Sequence, residues 1–166
     1  MAFNLKLLLS KAEYESETLK FDERINSPEL LARDISAFSN AKGGMILLGV
    51  REPGYVVGIS ETKLKKCFDT AMDSIAGPIR AEIEFLIVEG KNVGLIHIKN
   101  SDGIVGSPYG IYRREGEVMA PLNAEDIING VHKDKNINES ISTVSKTIFQ
   151  QNKLIEKISF SFDNAN

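Results

Sequence analysis

The sequence is short of the residues that make chemistry easy to recognise. A single cysteine, Cys67, excludes an intrachain disulfide framework and a four-cysteine zinc site, and both absences fit an intracellular address. The two histidines, His97 and His132, stand far apart without ligand spacing, which leaves neither in view as a metal ligand or an acid–base group. No long apolar run is present. The opening MAFNLKLLLSKAEYESE has one short apolar cluster, broken by Lys6 and lacking a small-residue cleavage motif. Export and membrane spanning are therefore not supported, and a soluble cytoplasmic protein is expected. Nor is there an excess of positive charge: 20 basic residues against 23 acidic ones give a net charge of −3. Any nucleic-acid partner must then be held by a local patch rather than by the field of the whole molecule.

What is present is a chain of 166 residues, 42% hydrophobic, enough for one ordinary core and an appendage. Leu5, Leu8 and Leu9 predict a short opening helix, and residues 18 to 21 a strand. The clearest helix follows. Ser27 is placed to cap it, Pro28 opens it, Leu30, Leu31, Ile35 and Phe38 share one face, and Gly43 lies beyond its end. MILLGV is apolar on both faces and reads as a buried strand; YVVGI reads as a short strand paired to it hairpin fashion. A second helix spans roughly residues 60 to 76, with Leu64, Phe68, Met72 and Ile75 aligned before Gly77-Pro78. EIEFLIV and VGLIHIK alternate around EGKN as a hairpin, GIYRRE reads as a last strand, and Asn123 caps a short helix carrying Ile127, Ile128 and Val131. The expected class is α+β: a two-layer sandwich of a mixed sheet with helices, occupying residues 1–131.

From residue 132 to 166 the character changes. Glycine and proline are absent, and Ile137, Ile141, Val144, Ile148, Gln151, Ile155 and Ile158 recur at alternating steps of four and three. That is a heptad seam on a helix of roughly 33 Å for 22 residues, too narrow in its apolar stripe for an ordinary core helix. Two uses stay open: coiled-coil self-association, or folding back to complete the domain's own core.

The stretch AFSNAKGGMILLGV raises the question of a phosphate site. A P-loop needs its lysine after the glycines, whereas Lys42 precedes Gly43 and Gly44; a dinucleotide fingerprint needs the glycines between strand and helix, and here the order is reversed. The pair instead reads, with Asn40, as a helix end and tight turn.

With its flanks the stretch becomes more specific. ESETLKFD, AFSNAKGGMILLGV, VVGI, GPI, GKNVGLIHIKNS and YGIYRREGE occur in the order and spacing of the Schlafen AlbA_2 family, which residues 3 to 131 resemble, with Asn40, Gly43, Gly44, Gly49 and Gly58 on family positions. The resemblance implies an AlbA_2-like fold, nucleic-acid binding, and a link to antiviral or phage defence. It also implies, by analogy with vertebrate members that cut tRNA and rRNA, a metal site of three carboxylates. Carried over residue by residue, the first carboxylate falls on Glu15, the second on Lys20, and the third, directly after the Gly-Val of the central strand, on Arg51; the family lysine falls on Asp22. A lysine and an arginine about 4 Å from a divalent ion would each repel it by several kcal/mol even at an effective dielectric near 20.

The expectation is therefore a pseudo-nuclease: a site without catalysis, metal or cofactor that grips RNA or DNA through Lys20, Arg51, Tyr112, Arg113 and Arg114, the first two supplying phosphate donors and the last three a stacking clamp. Against it stands a purely structural use, in which Lys20 pairs with Asp22, and Glu52 neutralises Arg51. Two further alternatives are carried. One is a Mg²⁺- or Mn²⁺-dependent ribonuclease using Glu15 as its catalytic carboxylate, with Glu13, Glu17 and Glu23 rebuilding the site. The other is an oligomeric adaptor that binds a protein partner. Lys63, Lys65 and Lys66 read as a solvated face, and Cys67 as buried packing.

Overall fold

The computed structural model describes residues 14 to 133 and 137 to 163, with side chains described for 14 to 129 and 138 to 159. The expected opening helix at Leu5, Leu8 and Leu9 lies outside these, as do Glu13 and the side chains of Val131, His132 and Ile137. The elements are β1 (Leu19–Asp22), α1 (Pro28–Ser39), β2 (Gly44–Leu48), β3 (Val50–Arg51), β4 (Tyr55–Val56), α2 (Glu61–Ser74), β5 (Ala81–Val88), β6 (Lys91–Ile98), β7 (Tyr112–Glu115), β8 (Val118–Pro121), α3 (Ala124–Lys133) and α4 (Ile137–Asp163).

Four strands form a mixed sheet in the order β1-β2-β6-β5, with β1 parallel to β2 and the other pairs antiparallel. The apolar run of β2 is explained by burial on both faces. Ile46 and Leu48 meet α1 and α2 through Leu31, Ile35, Phe38, Leu64 and Phe68, while Leu47 joins Leu19, Phe21, Val93 and Leu95 on the other side. Gly94 of β6 is required by this packing, because a side chain there would overlap Leu64 of α2. The α+β class and mixed sheet agree with the sequence reading.

Local signals account for the helix ends. The Ser27 hydroxyl accepts from the Leu30 N–H at 3.3 Å with Pro28 at the first position, and Asn123 caps α3 by accepting from the Asp126 N–H at 2.8 Å. Beyond α1, Gly43 takes φ 73° and donates to the Phe38 carbonyl at 2.9 Å, turning the chain directly into β2.

Two details differ from the sequence reading. YVVGI contributes only Tyr55 and Val56, paired with Val50 and Arg51 as a separate two-stranded hairpin. The last strand pairs with an unforeseen one, β8, and this hairpin stands apart from the main sheet.

The long α4 lies back on the body by an unexpected face. Ser140, Thr143 and Thr147 are buried among its described residues, and Gln150 and Gln151 donate to the carbonyls of Ser74 and Tyr109 at 2.9 and 2.7 Å. Glycines let it approach: Thr143 sits against Gly77, Thr147 against Gly106 and Gln151 against Gly110. The isoleucines expected to form the seam face outward, with Ile141, Ile148, Ile155 and Ile158 all exposed and Val144 half-buried. Among the described residues no helix is long and apolar enough to cross a membrane.

Gly106→Ala places a methyl group on top of Thr147 and is expected to cost about 1–3 kcal/mol in urea unfolding. Adding Thr147→Ala removes the overlapping hydroxyl and should recover part of that loss. Additive losses would show that the two positions are not in contact.

Candidate nucleic-acid interface

The candidate residues gather where the C-terminal end of β1 passes beneath α1 and beside β3. In β1, Leu19 and Phe21 point to the opposite core, so Lys20 and Asp22 share the face toward α1. There Lys20 meets two carboxylates. Its ammonium hydrogen-bonds Asp22 and lies 3.2 Å from Asp34, which is buried on the inward side of α1 and accepts from Arg33 at 2.8 and 3.0 Å. The four groups form a chain of alternating charge, Arg33–Asp34–Lys20–Asp22, with no net charge. Burial alone would loosen Lys20's hold on its proton, but the charges and hydrogen bonds of Asp34 and Asp22 outweigh it and raise the pKa above that of an ordinary lysine. Asp22 is pushed upward by burial, against the opposing pull of Lys20.

Glu15 and Arg114 form a second structural unit. One Glu15 oxygen accepts from the Phe21 N–H and the other from the Arg114 guanidinium, both at 3.0 Å. Arg114 also donates to the carbonyls of Ser16, Leu19 and Glu117 and lies over the Phe38 ring, 4.9 Å from its centroid. Its side chain is fully buried. The expectation that Arg114 clamps a nucleic-acid strand is corrected by this placement, because the side chain is fully buried and each of its three nitrogens donates to the protein. Lys20 is corrected on the same ground, its ammonium being enclosed by two carboxylates.

Arg51 is different. It stands on β3 with its side chain 63% exposed, and the nearest carboxylate is Glu23 at 3.9 Å. Glu52, the partner considered from the sequence, instead accepts the Glu15 N–H at 2.7 Å. Across the hairpin Arg51 pairs with Tyr55, and its guanidinium lies 5.8 Å from that ring's centroid. Tyr55 is itself exposed, and Arg24, paired with Glu23 at 3.2 Å, is more exposed still. This corner offers a forked cation beside an open aromatic ring.

Arg113 is partly exposed but hydrogen-bonded to Glu115, which raises its pKa, with Asp126 at 3.9 Å. Tyr112 is half-buried beneath Arg33, 6.0 Å from the ring centroid. The Asn40 amide donates to the carbonyls of Val105 and Tyr112 and accepts from the Val105 N–H, tying the end of α1 to the loop before β7.

The carboxylates considered for a rebuilt metal site do not converge. Glu15 is held by Arg114, Glu17 by Lys42 at 2.7 Å, and Glu23 by Arg24 and Arg51. Among the described residues no group of three His, Cys, Asp or Glu side chains is arranged to hold a metal ion. Cys67 is buried in α2 with its sulfur 3.5 Å from the Asn26 carbonyl, and burial pushes its thiol pKa up. His97 pairs with Glu84 on the sheet at 2.9 Å.

Tyr55 and Asp34 are the residues that the sequence reading passed over. Asp34 had left a signal: it falls between Leu31, Ile35 and Phe38 on the inward face of α1, where a carboxylate needs a cation.

These features define a small α+β domain with a charged corner at the end of an edge strand. Comparison with known proteins places it further. The family model described as Schlafen, AlbA_2 matches residues 15–123. The chain belongs to the Schlafen AlbA_2 family. No curated protein matches it. Among solved structures it is similar to the DIP2311 protein from Corynebacterium diphtheriae, with 16% identity and a TM-score of 0.58, over 75% of this chain and 30% of that one. At that identity the likeness concerns the fold alone.

Lys20→Met would leave Asp22 and Asp34 facing each other without their shared cation. A loss of about 3–5 kcal/mol is expected near neutral pH. The folded carboxylates would then bind a proton more tightly than the unfolded ones, so the variant should regain stability as pH falls toward the ordinary carboxylate range. Denaturant titrations at stepped pH check this, and a loss independent of pH would contradict it.

Proposed function

We propose that this chain is a non-catalytic nucleic-acid-binding module that holds the phosphate backbone of RNA or DNA through Arg51, with Tyr55 as a stacking surface and Arg113 as an outlying contact. The single observation that carries the reading is the exposed Arg51 beside exposed Tyr55, at the position where the family resemblance puts its third carboxylate. An arginine fork matches phosphate geometry, and an aromatic face accepts any base. Lys20 and Arg114 take no part, being neutralised inside the protein. The reading invokes no metal, and it is supported by the two Glu15 oxygens accepting from Phe21 and Arg114, an arrangement that suits a structural carboxylate better than a metal ligand. The reading also holds that the module works in more than one copy through α4, which adds avidity to a single modest patch.

Fluorescence anisotropy of labelled single-stranded and duplex RNA and DNA at several salt concentrations tests the reading. Affinity should fall steeply with salt. Arg51→Glu should weaken binding to all sequences and flatten the logarithmic salt slope by about one, and Tyr55→Ala should cost about 1–3 kcal/mol on single strands. Both positions are exposed, so stability should stay within about 0.5 kcal/mol of wild type. Binding that ignores salt and both substitutions, or capture of a protein with no affinity for nucleic acid, would favour the adaptor alternative.

A further inference from the structure

The docking of α4 changes which residues form its free face. The stripe Ser140, Thr143 and Thr147 is spent on the body, and Val144 and Gln151, which alternate with isoleucine in the seam read from sequence, are drawn halfway into the same contact. The face left open runs Ile141, Ser145, Ile148, Asn152, Ile155, Ser159, and all six residues are exposed. Their steps are four, three, four, three and four, so the open face is still a heptad seam in a shifted register, with isoleucine at each d position and a small polar residue at each a position. It extends about 27 Å along the helix. The three isoleucines on it are 53%, 52% and 60% exposed, and Phe149 beside them is 68% exposed. Side chains of this kind in a continuous strip mark a contact surface.

We propose that the occupant of this face is α4 of a second copy of the chain, running antiparallel. The sequence of the face is complementary to its own reverse. With the two helices crossing near residue 150, Ile148 lies against Asn152, Ser145 against Ile155 and Ile141 against Ser159 of the partner helix, so every layer sets a large side chain against a small one. The flanking positions pair as well: exposed Phe149 meets its own counterpart, and half-buried Val144 meets exposed Ile158, which puts apolar groups on apolar groups. A parallel pair would stack isoleucine on isoleucine and serine on serine, leaving gaps in alternate layers. It would also align the two helix dipoles instead of opposing them. The proposal deepens the expectation of more than one copy and does not depend on whether the copies bind nucleic acid.

The full chain, studied by sedimentation equilibrium, should have twice the monomer mass, and Ile148→Asp should halve it. Since Ile148 is exposed, the circular dichroism spectrum should not change. Orientation is read by crosslinking, with buried Cys67 as a silent bystander. Ser145→Cys alone should not crosslink under oxidation, whereas Ser145→Cys mixed with Ile155→Cys should. A monomeric wild type, or a mass unaffected by Ile148→Asp, would overturn the proposal; efficient crosslinking of Ser145→Cys alone would overturn the antiparallel arrangement. The nucleic-acid reading fails separately, if the assembly forms as described but binds no oligonucleotide at low salt.

Discussion

The fold turns on a buried arginine. Arg114 reaches from β7 into the interior, lies on Phe38 of α1 and donates to the Glu15 carboxylate and to the carbonyls of Ser16 and Leu19. A guanidinium taken out of water costs several kcal/mol unless its donors are filled and a counter-charge lies close. Both conditions are met only when the segment entering β1, the helix α1 and the β7–β8 hairpin are all in place. One side chain thereby joins residues 99 positions apart. It also fixes the path of β1, and with it where Lys20, Asp22 and Arg51 emerge.

The same constraint sorts the charges of the candidate site. Positive groups below α1 are answered inside the protein: Arg114 by Glu15, Lys20 by Asp22 and Asp34, Arg33 by Asp34. On the hairpin above them Arg51 meets, among the described residues, a distant Glu23 and an open tyrosine ring. A chain with an overall negative charge can in this way keep one locally cationic corner. The exchange of a glutamate–lysine pattern for Lys20 and Asp22 reverses the polarity of the pair while keeping it neutral, which is the outcome that burial beneath a helix rewards.

How much of this could be read from the sequence depended on whether apolar spacing carried the information. α1 was legible because its cap, its opening proline, its apolar face and its terminal glycines agreed, and β2 because a run apolar on both faces has to be buried on both. β8 was not, since VMAP is short and shows no alternation. Arg114 looked like Arg113 on paper; only the tertiary course of residues 15 to 19 brings the Glu15 carboxylate and the Ser16 and Leu19 carbonyls to one of them. The docking face of the tail was hidden for a related reason. Hydrophobic periodicity picks out the isoleucines, but the helix docks through Ser140, Thr143 and Thr147 because Gly77 and Gly106 leave room for backbone-close contact there. Small residues facing glycines leave no trace in an apolar pattern.

The central claim is that the anion is taken by Arg51 beside the open Tyr55 ring, Lys20 and Arg114 being neutralised from within. Chemical-shift mapping of isotope-labelled protein with a short oligonucleotide tests it most directly, because amide and guanidinium signals report each site separately. The account predicts shifts clustered on Arg51, Tyr55, Glu23 and Arg24, with the Arg114 side-chain signal unmoved. Shifts centred on Arg114 and Lys20, or confined to the lysines of α2, would contradict it.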